Sequence, residues 1–209
     1  MLAHLDVRGY SREISLTNPY GDVELDDPRA MRALAHPVRL AILSRLQRHG
    51  PSTASRLSPD VGATPSVASW HLRHLATFGL VRDAEVEADG RERWWESAGR
   101  GFRFVAPDDP GDAEGNAAYR ALTEQMFLAA DDLPRRWLAD VEPTLPPRWR
   151  KLSGLANTRV VLSVAELAEV ERAVEEVLAP YVRRDPDAAP RGSRSVRLMR
   201  YAMPENERR

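Results

Sequence analysis

Ser66, Ser69, Trp70 and Arg73 fall at i, i+3, i+4 and i+7, so a helix through them sets two hydroxyls, an indole and a guanidinium along one side. Ala68, Leu72, Leu75 and Gly79 fall at i, i+4, i+7 and i+11, the opposite and inward side. Thr64 is placed to cap that helix, with Pro65 at its first position and Gly79 at its close. Hydroxyls bond phosphate oxygens or base edges, and arginine fits the O6/N7 edge of guanine. The chemistry on offer is contact with a nucleic-acid groove; the bland alternative is a solvated amphipathic helix. Trp70 has two readings, stacking on sugar or a thymine methyl, or covering the surface of the domain.

Other chemistries find less support. His71 and His74, at i and i+3, supply half of a zinc site, and no spacing places the two further ligands zinc requires. His71 reads as a residue that packs or bonds backbone within the helices, and His36, before Pro37, as a helix cap. With no cysteine there is neither disulfide nor thiolate site. Gly-rich phosphate loop, nucleophile elbow and carboxylates paired with histidine are all missing, and Asp108-Asp109 and Asp131-Asp132 read as solvated pairs. The expectation is a non-enzyme with no catalytic residue, metal or cofactor.

The elements that must position the outward row can be read from caps and periodicity. Asp27 and Pro28 open a helix, "PRAMRALA". "HPVRLAILSRLQRHG" is a second, with Val38, Ala41, Ile42 and Leu46 as its buried stripe and Gly50 as its stop. "PSTASRLSPDVG" is a short helix ended by Pro59 and Gly62, and the helix of the outward row follows. Then the period changes to strand, turn, strand in "LVRDAEVEADGRERWWES", with Asp89-Gly90 as the hairpin signal. Of Trp94 and Trp95, alternating on the second strand, one must be core and the other faces outward, toward a partner subunit.

Composition permits this and excludes little else. The chain has 209 residues, 43% hydrophobic and 29% charged, with formal net charge −1, as in ordinary globular proteins. Residues 29–97 are more basic: ten arginines stand against seven acids, a balance of +3. All but Lys151 of the 30 basic residues are arginine, which fits bidentate phosphate or guanine contact but equally a GC-rich genome. No run approaches the roughly 18 apolar residues of a membrane span, and "MLAHLDVRGYSREISL" lacks the pattern of a secretion signal. No membrane association and a cytoplasmic location are expected.

Three motifs together resemble one family. "ALAHPVRLAILSRL" (33–46), "SVASWHLRHLATFGLV" (66–81) and "DGRERWWE" (89–96) are similar to the signature segments of the ArsR-like winged helix-turn-helix regulators. Ser69, His71, Leu72, Leu75, Gly79, Leu80, Val81, Gly90 and Arg91 occupy the matching positions. The resemblance implies a dimeric transcriptional repressor that occludes promoter DNA. It implies an inverted-repeat operator in double-stranded DNA, read by Thr64, Pro65, Ser66, Ser69, Trp70 and Arg73, with Arg91 and Arg93 on the wing. Two departures argue against the metal-sensing members. "STASRLS" carries no cysteine ahead of the recognition helix, and the histidines (4, 36, 49, 71, 74) all precede the wing. A third bears on DNA: Asp83, Glu85, Glu87 and Asp89 form an acidic row on the wing strand, facing phosphate with like charge. That row keeps a rival open, a winged-helix protein-interaction module with no DNA target.

The expected architecture is α+β and mainly helical. Residues 1–27 form an N-terminal extended arm around the turn signal Asn18-Pro19-Tyr20-Gly21, and 28–97 the DNA-binding domain. Residues 98–112 are a Gly- and Pro-rich linker, and 113–209 a dimerisation region whose tail would either hold a small-molecule effector or protein partner or only brace the dimer. Within it a long helix over 113–133 carries the stripe Ala118, Leu122, Met126, Ala129 and Leu133, read as the dimer surface together with the helix near Pro28. Pro134 kinks or restarts that helix and "PTLPP" breaks it. A strand ("TRVVLS"), a helix with the capping box Ser163…Glu166, and a last strand ("SVRLMRYAM") complete the tail.

Overall fold

The computed structural model of the chain describes residues 20–86 and 92–205. β1 (Val23–Leu25) leads into α1 (Pro28–Leu34), whose cap is Asp27: its carboxylate accepts from Arg29 N at 2.8 Å, and Pro28 gives up no bond at the first position. α2 (Pro37–His49) is capped by His36 Nδ1, which accepts from Val38 N at 3.2 Å. Its inward face is Leu40, Ile42, Leu43 and Leu46; of the stripe read from sequence, Val38 and Ala41 are only half-buried. The apolar run "RLAIL" fits either face, and contact with the following helices selects it.

A two-residue strand that periodicity did not show, β2 (Ser52–Thr53), precedes α3 (Ala54–Val61). α3 runs through Pro59, where a stop was expected, and ends at Gly62 in the left-handed conformation, φ 64°. Pro59 withholds a bond from near the exposed start of a helix only eight residues long, while Ser58 Oγ donates to Ala54 O at 2.7 Å. α4 (Pro65–Ala76) follows, and Gly79, φ 67°, turns the chain into β3 (Val81–Asp83). β4 (Trp94–Ser97) pairs antiparallel with β3, Val81 opposite Ser97 and Asp83 opposite Trp95, and on its other edge with β2. The expected hairpin is therefore present, but its Asp89-Gly90 turn lies outside the described residues.

The Gly-rich stretch read as a linker holds β5 (Phe102–Phe104), parallel to β1 with Val23 opposite Phe102. Its glycines serve close approach: a Cβ on Gly99 would stand 2.9 Å from Gly21 O, and one on Gly101 2.6 Å from Asp22 Oδ1. Glycine for flexibility and glycine for contact look alike in a sequence. Of the arm, residues 1–19 lie outside the described residues.

One core joins these pieces. Met31, Leu34, Ile42, Leu43, Leu46, Leu57, Leu72, Leu75, Leu80, Val81 and Trp95 form it, and Ala118 and Leu122 complete it from α5 (Ala113–Asp131). Beyond α5 the chain breaks at Pro134 as expected, passing through α6 (Leu133–Arg136), a π turn and a 3₁₀ turn to α7 (Pro147–Leu152), which was not foreseen. α8 (Val164–Val182) starts with both bonds of the expected capping box, Ser163 Oγ accepting from Glu166 N and Glu166 Oε2 from Ser163 N. The two strands expected on either side of α8 are not formed: residues 158–163 and 195–203 make no ladder. A β-branched pattern is a context-dependent preference, and it becomes a strand only where a ladder forms.

α8 is tied to the first half of the molecule by a polar cluster. Arg103 on β5 pairs with Asp22 at 3.1 Å and with Glu175 at 2.7 Å, and its guanidinium lies over the Tyr20 ring. Tyr20 Oη donates to the Glu175 carbonyl at 3.2 Å. No helix among the described residues is long and apolar enough to cross a membrane.

Candidate nucleic-acid interface

α4 presents its two sides as the spacing requires. Ala68, Leu72 and Leu75 are fully buried, and Thr64, Pro65, Ser66, Trp70 and Arg73 are exposed, Trp70 by 53%. Ser69 is half-buried between them. Thr64 is occupied as a cap, Oγ1 accepting from Val67 N at 3.4 Å while its carbonyl takes Ala68 N. Pro65 has no N–H. The Ser66 N–H is thus left as the first-turn donor, beside its own hydroxyl, at the positive end of the helix dipole.

Two of the outward side chains are already ordered. Arg73 Nη1 donates to Ser69 Oγ at 2.7 Å, which lays the guanidinium back along the helix, one turn toward its N-terminus. Trp70 is stacked on His74, ring centroids 5.5 Å apart and planes 8° from parallel. The indole keeps one face for the protein, as the covering reading of Trp70 requires, and leaves the other exposed.

The wing is less basic than its arginine content suggests. Arg93 pairs across the hairpin with Asp83, Nη2 donating to Oδ2 at 2.9 Å, and lies over the Trp95 ring at 4.0 Å. That hydrogen bond draws the Asp83 carboxyl below its ordinary range and the Arg93 guanidinium above its own. Arg82 is likewise held by Glu96 at 2.6 Å. Half of the described acidic row is therefore balanced and Glu85 remains exposed; Glu87, Asp89 and Arg91 lie outside the described residues.

One neighbour was not anticipated. Arg56, in the first turn of α3, lies over the Trp94 ring at 4.7 Å, so the tryptophan expected to face a partner subunit is covered from within the chain. Trp95 is the core one, 2% exposed. Residues 56 and 94 meet only because β2 pairs with β4, and nothing local announces it.

The proposed dimer stripe is split. Ala118 and Leu122 are buried against α1 in their own chain, with Arg32 bonded to Glu114 at 2.6 Å alongside. Met126 and Ala129 are exposed, joined there by Phe127 and Leu128, and Leu133 is half-buried. Of that stripe, only the part in the second half of α5 is open to another molecule.

Helix, helix, strand, helix, helix and a three-stranded hairpin sheet define a winged helix-turn-helix, with α3 and α4 as its two helices. Residues 34–84 match the helix-turn-helix domain family. That span takes in α2 to β3 and the whole outward row of α4. No curated protein is significantly similar to the chain. Among solved structures it is similar to a transcriptional regulator homologue from Pyrococcus horikoshii OT3, at 22% identity over 60% of this chain and 97% of that one, TM-score 0.30. It is similar also to the homodimeric winged helix-turn-helix DNA-binding domain Mb0332 from Mycobacterium bovis, at 20% identity over 63% and 92%, TM-score 0.31. A third is NMB1585, a MarR family regulator from Neisseria meningitidis, at 18% identity over 69% and 79%, TM-score 0.30. This chain has the winged helix-turn-helix fold.

Proposed function

We propose that the protein is a sequence-specific DNA-binding transcriptional regulator, a cytoplasmic homodimer that represses by occluding promoter DNA and does not sense metal. The observation that carries this reading is the α4 outward face: a free helix N-terminus at Ser66, then an arginine held in place by Ser69 one turn further on. Phosphate at the N-terminus would set the helix in register, and Arg73 would swing from Ser69 to a base edge. Thr64, Pro65 and Trp70 border that contact, and the wing, with Arg91 and Arg93, would lie along the adjoining backbone. The C-terminal region would bring two copies together, so the bound site would be an inverted repeat.

The test is selection of bound sequences from a random duplex pool, followed by titration of the enriched duplex at two salt concentrations. An enriched inverted repeat, bound more weakly at higher salt, is the expected result. Failure to enrich any sequence, with no shift of duplex at low salt, would favour the second reading, a winged-helix module that binds protein. That reading has an observation of its own, the pairing of Arg82 and Arg93 with wing carboxylates.

A further inference from the structure

Where the start of α2 faces α4, four basic groups meet without a counter-charge among the described residues. His36, the cap of α2, has its ring centroid 4.8 Å from that of His71 on α4. His71 is 5% exposed, and its Nδ1 has no hydrogen-bond partner among the described residues. Arg39, also buried, donates from Nε to the Ala33 carbonyl. His74 stands one turn along α4, under Trp70.

The charges on the elements packed around α4 are spent elsewhere. On α2 and α3, Arg45 pairs with Asp60 and Arg56 lies over Trp94, while Arg48 and His49 are exposed at the far end of α2. On β3, Arg82 and Asp83 pair with Glu96 and Arg93; on α1, Arg29 and Arg32 pair with Asp27 and Glu114. Arg73 on α4 itself is bonded to Ser69. The groups acting on His71 are His36, Arg39 and His74, with no carboxylate among them.

We propose that the His36–His71 contact is an acid-sensitive lock on α4: a proton on His71 sets a cation against His36 and Arg39 in a buried site and loosens α4 from α2. Its effect on DNA rests on the reading of α4 given above; its effect on the fold does not. Burial first, then His36, Arg39 and His74, holds the His71 imidazole below the ordinary histidine value of 6.5. His36 is held down too, by burial and then by Arg39. In the unfolded chain His71 would take its proton near the ordinary value, before the folded chain does. Stability is therefore whole above that value and is lost as pH falls through it toward the depressed one.

The experiment uses the full chain. Histidine ring resonances and thermal unfolding are followed from about pH 7.5 to about pH 5 without DNA, then affinity for a selected duplex over the same range. Expected are a His71 titration below the ordinary histidine value of 6.5, a Tm that falls on acidification, and weaker duplex binding, by up to about tenfold per unit of depression. His71→Gln should flatten the Tm profile. His36→Asn keeps a cap but removes one repelling ring, so it should move the His71 titration upward; this variant decides the matter if His71→Gln does not fold. A His71 titration at or above the ordinary value of 6.5, or one unmoved by His36→Asn, overturns the lock. Duplex affinity that stays constant across the range overturns its regulatory effect. Absence of duplex binding at every pH, with the ring and Tm shifts present, overturns the DNA reading alone.

Discussion

Arg73 leaves α4 toward solvent, yet its guanidinium is anchored on Ser69 Oγ. A flexible side chain that must be ordered on binding loses rotamer freedom, and part of that loss is met in advance by this bond. Arg73→Ala should therefore cost about 1–3 kcal/mol of DNA binding and relax preference at one base position. Ser69→Ala should weaken binding by less and leave the preferred base unchanged, since only the anchor goes. Titration of the selected duplex and its single-base variants checks both. Equal losses for the two variants would show that Ser69 itself makes the specific contact. On the wing, Asp83 withholds Arg93 from any phosphate. Asp83→Asn should strengthen binding to all sequences alike and steepen the salt slope by about one unit. An unchanged slope would place Arg93 away from the backbone.

At the scale of elements, α5 does two jobs along its length. Its first half completes the core of the winged domain: Leu122 is fully buried against α1 and the residues around it. Leu122→Ala should cost about 2–5 kcal/mol in denaturant unfolding, the range for emptying a buried leucine site. Its second half exposes Met126, Phe127 and Leu128. Charge placed there, as Met126→Glu with Leu128→Glu, should leave the unfolding midpoint of a monomer unchanged while lowering the mass seen by light scattering. A stability loss at Leu122 as small as a surface substitution would mean that α5 does not belong to the core. The same division explains why Leu122 cannot test dimerisation: a glutamate there would disrupt the chain's own fold first.

For the whole molecule, the two halves are unequal in how they bury apolar surface. The core runs from β1 to β4 and takes in the first half of α5, whereas after residue 125 only Leu145 and Ala179 among the described apolar residues are buried. Val161, Val164, Val177 and Tyr181 in and before α8 are exposed, and the capping box shows that the helix itself is well specified. An amphipathic helix draws most of its stability from packing, so this half should gain from a second copy. The expected outcome is a dimer by light scattering whose Tm rises with protein concentration. Its operator should then have half-site centres about 10 bp apart, or a multiple of that. A concentration-independent Tm with monomer mass would remove the dimer.

What the sequence determined by itself was local. The caps at Asp27, His36, Thr64 and Ser163, the α4 period that separates Leu72 from Arg73, and the break at Pro134 all follow from interactions within a turn or two. Tertiary structure decided whatever depends on residues distant in the chain. β2 exists because β4 runs beside it, and β5 because β1 does. Leu122 is core because α1 takes it up, and "TRVVLS" and "SVRLMRYAM", strand-like in pattern, form no ladder among the described residues. Even the charges on the wing were settled by a cross-strand pair, Arg93 with Asp83, whose attraction falls off too steeply with distance for composition alone to register it.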